Sequence, residues 1–425
     1  MVLSSETFPK ATCRVLPAYA SNQLTFNSLF AGSGDCRESL RRALPAITVA
    51  VVLAFCAGVA VGRFELWPFP VLSKAYRFRG AELADKLADR EFKGLRPLTE
   101  AQLTRVSTPA LIRVRRDALI NYIWRTRGFP SARLPDSVEE NFSDPTFSPS
   151  NIGRITRLVT VMRGGVKSIT YYLEPRSGRR CLMVYYHSHG ESFRKGAPTI
   201  SRLLAAGCAV IGVSMPLVPD EPVPVVSDSA FGSIPLRRHD ELAVMEAPDF
   251  SPIAFFVEPV AASLNYVLAK GRFDRVGMVG ISGGGWATTL YAALDERITK
   301  SYPVAGSEPT WLTVRRPQPW LDFEQTDIGL IRTANYPELY VLGTSGGRRQ
   351  LQILNRYDAC CFYGRGYRLY NESVSAVAKR TGGSFSVFLD ETHREHRLSS
   401  TALDSVLADF LRKSAAHPQL APTPF

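Results

Sequence analysis

A serine between glycines, Gly280-Ile281-Ser282-Gly283-Gly284, follows the apolar run Val276-Gly277-Met278-Val279 and precedes Gly285-Trp286-Ala287. The pattern G-x-S-x-G, set between a strand and a helix, places a hydroxyl on a sharp turn. Small neighbours let the strand and helix approach, and the helix N-terminus offers N–H groups to developing negative charge. The chemistry implied is attack on a carbonyl, which needs a general base and an acid to orient it. Downstream, FLDETHREHRLSS offers two bases, His396 as first choice and His393 as the alternative. Asp358 is the first carboxylate available after the strand-like run ELYVLG and is taken as the acid. Glu308, in AGSEP, is the runner-up, and Asp390 reads as a strand-end residue. No carboxylate directly follows ELYVLG, which keeps a non-catalytic binding or scaffold reading open.

Other readings of the same residues are weaker. Gly343-Thr344-Ser345-Gly346-Gly347 repeats G-x-S-x-G, but Ser345 leaves only one strand-like run before the histidines, whereas the order Ser, acid, His calls for more. A phosphate-binding loop needs glycine where Ser282 stands, or a terminal G-K-[ST], and neither is present. His239-Asp240 reads as a charge pair in a solvated loop. Seven cysteines include no C-x-x-C pair, so neither a metal nor an organic cofactor is expected. Cys360 and Cys361 are adjacent, a poor arrangement for bonding to each other; Cys181 and Cys208 open neighbouring strands and read as two buried thiols.

The elements that would hold these groups begin after residue 151. ITRLVTVMR and SITYYLEP read as a hairpin. CLMVYYHSHG, CAVIGVSMP, RVGMVGIS, ITKSYPVAG, ELYVLG and FSVFLDE then read as strands alternating with helices. Such alternation predicts an α/β class with a mostly parallel sheet covered on both faces. The stretch 216–249, with its prolines, reads as a lid over the site.

With the serine turn and strand order in place, residues 152–413 resemble the α/β-hydrolase superfamily. His189-Gly190 at the end of CLMVYYHSHG resembles that superfamily's H-G element, although Glu191 follows where a longer glycine run is common. The resemblance implies an oxyanion hole built from the backbone N–H of Gly283 and that of Gly190 or Glu191. It also implies a Ser282-Asp358-His396 triad and hydrolysis of a carboxylic ester, without a cofactor. A peptidase or an acyltransferase is the alternative within the same fold. A small-molecule ester or an acylated carbohydrate is the expected substrate.

The 425 residues are 45% hydrophobic and 21% charged, with a formal net charge of +12. Basic residues occur as scattered pairs rather than one run, and no nucleic-acid-binding signature is present, so no nucleic-acid partner is expected. Residues 43–62, ALPAITVAVVLAFCAGVAVG, contain no charge and are long enough for a membrane span flanked by Arg41, Arg42 and Arg63. The expected layout is a polar tail over 1–42, a transmembrane signal-anchor over 43–62, and a helical connector and linker over 63–151. The catalytic domain then occupies 152–425, on the extracytoplasmic side of a bilayer that the anchor makes a partner.

Overall fold

The computed structural model describes residues 45–46, 48–58, 92, 94–147, 152–178, 180–218, 221–228, 232–316, 321–358 and 360–412. The chain divides into two compact units, Met1–Ala75 and Tyr76–Phe425. In the first, residues 45–46 and 48–58 are helical. Among the described residues no helix is long and apolar enough to cross a membrane. This corrects the expected transmembrane anchor over 43–62, and with it the bilayer as a partner. An apolar run sets hydropathy, not helix length, and a span needs about 20 consecutive helical residues. The polar tail over 1–42, the flanks of the apolar run and residues 63–91 of the expected helical connector lie outside the described residues.

The second unit is built on a nine-stranded sheet of β1 (Ser137–Glu140), β2 (Ile152–Val161), β3 (Lys167–Pro175), β4 (Cys181–Tyr186), β5 (Ala209–Val213), β8 (Arg275–Ile281), β9 (Lys300–Val304), β10 (Arg349–Asn355) and β11 (Ser384–Asp390). A separate hairpin, β6 (Val225–Asp228) and β7 (Gly232–Pro235), falls in the insertion over 216–249. The strand order is β1-β2-β3-β5-β4-β8-β9-β10-β11. The first pairings, up to β3 with β5, are antiparallel, and those from β5 to β11 are parallel. Parallel strands need crossovers, and the helices supply them and cover both faces.

Those helices are α1 (Pro109–Trp124), α2 (Ala197–Ala205), α3 (Ala254–Lys270), α4 (Gly283–Leu294), α5 (Tyr336–Thr344), α6 (Asn371–Arg380) and α7 (Ser400–Leu411). Side chains alternate across β4. Leu182, Val184 and Tyr186 join the core shared with α3, α4 and α5, while Met183 and Tyr185 join the opposite core with α2 and α7. Helix α1 packs into the first core through Ile112, Leu119, Ile123 and Trp124. Its Arg116 is buried and donates to the Ala293 and Leu342 carbonyls and to Ser345 Oγ.

Two segments differ from their sequence reading. ELYVLG lies within α5 rather than a strand; Asn335 caps that helix, and its N3 residue Glu338 completes a capping box. The strand is β10, RQLQILN, which starts eleven residues further along. Its buried Gln350 and Gln352 hide it from a hydropathy reading. Inside the sheet Gln350 Nε2 donates to Ser301 Oγ at 3.2 Å and Gln352 Nε2 to the Ser307 carbonyl at 2.7 Å, although Gln350 Oε1 has no partner among the described residues. Within the connector and linker expected over 63–151, exposed and charged β1 adds an antiparallel edge to β2.

Cys181 and Cys208, expected as free thiols, form a disulfide across 27 residues with Cα atoms 4.8 Å apart. Each stands at the entrance to one of two hydrogen-bonded parallel strands, β4 and β5. Cys360 and Cys361 are also joined to each other, despite being neighbours in sequence.

Candidate active site

The turn between β8 and α4 holds Ser282 at φ 58° and ψ −123°. Only a well-supported backbone keeps a non-glycine residue there, at a cost of about 1–3 kcal/mol. The support is on both sides. Ser282 N–H donates to the Val304 carbonyl of β9 at 2.9 Å, and the Ser282 carbonyl accepts from Trp286 N–H at 2.9 Å. The flanking glycines are required by space. A Cβ at Gly284 would come 2.5 Å from the His187 carbonyl, and one at Gly285 2.6 Å from that of Val304. Helix α4 therefore starts in contact with the ends of β4 and β9, and its first N–H groups, without intrahelical partners, surround the serine turn.

Asp358 lies three residues beyond β10 and is 1% exposed. Its Oδ1 accepts from the N–H groups of Cys360 at 2.8 Å and Cys361 at 3.2 Å, which leaves Oδ2 for His396 Nδ1 at 2.7 Å. With β10 at its true position, a carboxylate does directly follow the seventh strand of the body. Asn355 Nδ2 donates to the Arg397 carbonyl at 2.9 Å and ties the histidine loop to the strand end. Bonding of Nδ1 to a carboxylate makes that nitrogen the protonated one and leaves the lone pair on Nε2. That Nε2 is buried and has no hydrogen-bond partner among the described residues, Ser282 included.

The remaining candidates are held elsewhere. His393 faces Asp390, with Nε2 3.3 Å from Oδ2, and its Nδ1 accepts from Glu395 N–H at 3.2 Å. Ser345, at the end of α5, is buried and donates to the Leu342 carbonyl while accepting from Arg116 and Arg348. Glu308 is bound by both Arg316 Nε at 2.7 Å and Nη2 at 2.8 Å. Gly283 is the first residue of α4. Gly190 has φ 68° with open space where a Cβ would stand, and Glu191 is exposed, 3.4 Å from His187 Nε2. The loop carrying them reaches the serine turn through His189, whose Nε2 would lie 2.6 Å from a Cβ on Gly283.

Beside the turn sits a group the sequence reading did not assemble. His189 Nε2 is 2.7 Å from Glu324 Oε1 and 3.2 Å from Asp322 Oδ2, and His239 Nδ1 is 3.4 Å from the same Glu324 oxygen. His239, read as solvated, is only 9% exposed in its side chain, with Nε2 3.0 Å from the Pro216 carbonyl. Burial pushes the Glu324 carboxyl up, but the His189 hydrogen bond and the closeness of the His239 ring outweigh it and hold it down to about 2. Burial likewise lowers His239, and Glu324 reverses this to a net rise. Asp322 is raised by burial. Three segments distant in sequence meet here, so no spacing pattern could have exposed the group. A cavity of about 310 Å³ lined by Arg157, Tyr171, Phe193 and Arg194 is separate: neither Ser282, Asp358 nor His396 lines it.

The chain has the α/β-hydrolase fold. A glucuronoyl esterase from Solibacter usitatus is similar over 75% of this chain and 98% of its own, at TM-score 0.52 and 16% identity. An acetyl xylan esterase from a Paenibacillus species is similar over 73% and 98% at TM-score 0.47 and 14% identity, and a glucuronoyl esterase from Teredinibacter turnerae over 77% and 98% at 0.46 and 13%. No family model matches the sequence, and no curated protein does.

Proposed function

We propose that the protein is a serine hydrolase that cleaves a carboxylic ester through an acyl-enzyme on Ser282. The observation that carries this reading is the Asp358–His396 dyad, with a buried carboxylate on Nδ1 and an unbonded Nε2, in a fold that also holds Ser282 at positive φ on a strand-to-helix turn. Ser282 attacks the carbonyl carbon as His396 Nε2 takes the hydroxyl proton. Asp358 holds the imidazole and balances the imidazolium, and the proton then passes to the departing alcohol. The N–H of Gly283, with that of Gly190 or Glu191, receives the oxyanion, each such donor contributing about 3–4 kcal/mol. Water repeats the sequence on the acyl-enzyme and frees the acid.

An ester of a carbohydrate, acylated or uronoyl, is the proposed substrate class, in keeping with the similarity to a glucuronoyl esterase. Labelling with a fluorophosphonate tests the nucleophile: wild type is labelled and Ser282→Ala is not, whereas labelling that survives the substitution refutes the assignment. Release of acetate from an acetylated oligosaccharide, with no cleavage of peptides and no transfer to added alcohols, separates the esterase from the peptidase and acyltransferase readings.

We also place the catalytic body outside the cytoplasm, supported by the Cys181–Cys208 disulfide, since such bonds persist in oxidising compartments. Alkylation of thiols in intact cells before lysis leaves both cysteines unmodified on this reading; alkylation of both would place the body in a reducing compartment.

A further inference from the structure

We propose that His189, His239 and Asp322 bind a divalent transition-metal ion of the Zn²⁺ type beside the serine turn, with Glu324 supplying negative charge from beneath. This goes beyond the esterase reading and does not rest on it. One ligand atom from each of the three residues lies within 4.8 Å of the other two. Metal bonds of about 2.0–2.2 Å to nitrogen and oxygen need only small side-chain rotations from that starting point. Two imidazoles and a carboxylate form the donor set of many catalytic zinc and non-haem iron sites, and it leaves positions open for water or a ligand.

Two independent features point to a cation. His239 Nε2 lies 3.0 Å from the Pro216 carbonyl. A carbonyl only accepts, so Nε2 carries the proton and, in the neutral ring, Nδ1 presents its lone pair to the cluster. A backbone carbonyl on the far nitrogen is how a metal-binding imidazole is commonly oriented. Second, Glu324 is fully buried, yet its Oε2 has no hydrogen-bond partner, and neither has His239 Nδ1. A lone pair and a carboxylate facing each other at 3.4 Å call for positive charge between them, which a bound ion would supply in place of a second proton on the ring. His189 comes from the loop after β4, His239 from the insertion after β5, and Asp322 from the segment after β9. A bound ion would staple these three segments around the serine turn and set the position of the loop that carries Gly190.

The test uses the full chain, stripped with chelator, dialysed and titrated with Zn²⁺ by calorimetry. Co²⁺ replacement is followed by visible absorption. One Zn²⁺ per chain is expected, together with a rise in Tm on loading, and a Co²⁺ spectrum with d–d bands but no thiolate charge-transfer band. His239→Gln and Asp322→Asn, each checked for folding by circular dichroism, should weaken Zn²⁺ by about 100-fold or more, the upper range seen even for outer-shell changes. Ser282→Ala should bind as wild type does. Failure of wild type to bind Zn²⁺ stoichiometrically overturns the proposal. So does unchanged binding in both variants. A thiolate band also overturns it, by placing the ion on cysteine sulfur; Cys360 and Cys361, which lie with His396 in the other group of suitable ligand atoms among the described residues, would have to be reduced first.

Discussion

Asp358 is consumed on one side by the Cys360 and Cys361 amides and on the other by His396, so its carboxylate can serve a single imidazole and in a single orientation. Asp358→Asn keeps the shape but replaces an acceptor oxygen with a donor, which favours the wrong tautomer. On the proposed mechanism kcat for ester hydrolysis should fall by about 10³–10⁴ with little change in Tm. His393 makes the opposite case. Its ring rests against Asp390, whose carboxyl also accepts from Ser399 and Thr392, so it belongs to the brace under the histidine loop. His393→Gln should leave kcat near the wild-type value while lowering Tm; a collapse of kcat equal to that of His396→Gln would reassign the base.

At the scale of elements, the serine turn works because three backbones converge on it. Gly284 lies where α4 meets the carbonyls at the end of β4, and Gly285 where it meets β9. A methyl group at Gly284 must push helix and strand apart. Gly284→Ala is therefore expected to destabilise the fold by about 1–3 kcal/mol, read from the urea midpoint, and to abolish fluorophosphonate labelling of Ser282. A variant as stable and as reactive as wild type would show that the contact is soft. The placement of β10 has a similar logic. Its polar residues are tolerable only because Ser301 and the Ser307 carbonyl wait for them across the sheet, partners that a reader of the chain alone has no means of seeing.

Across the whole body, buried carboxylates bind the β-sheet to its loops. Burial pushes the Asp144 carboxyl up, but Arg194, at 2.7 Å, and the Thr146 amide outweigh it and hold it below the usual range. Asp390 is treated the same way by Ser399 and Thr392, with His393 adding to the effect. Both groups have folded pKa values below the unfolded value of about 3.9. Their contribution is therefore complete above roughly pH 5 and is lost as the pH falls through the folded values. The denaturant midpoint should drop steadily below pH 5, and Asp144→Asn, already less stable at neutral pH, should drop less. Equal losses in the two proteins would show that other groups control acid unfolding.

The local pattern of this chain suffices for its α/β class, for the β4 and β8 strands, and for Ser282 on its turn, because those signals lie in short windows: apolar runs, glycines, and a serine between them. Chain order also nominates Asp358 and His396, which the fold brings together. Whether the 43–62 run makes a span depends on how far its helix extends, which hydropathy does not measure. Likewise α5 and β10 could be told apart only by what surrounds them, since ELYVLG is buried on every side and RQLQILN is polar yet enclosed. The meeting of His189, His239, Asp322 and Glu324 is decided wholly by the tertiary fold, which brings together three segments spread over 135 residues and buries Glu324 and His239 between them.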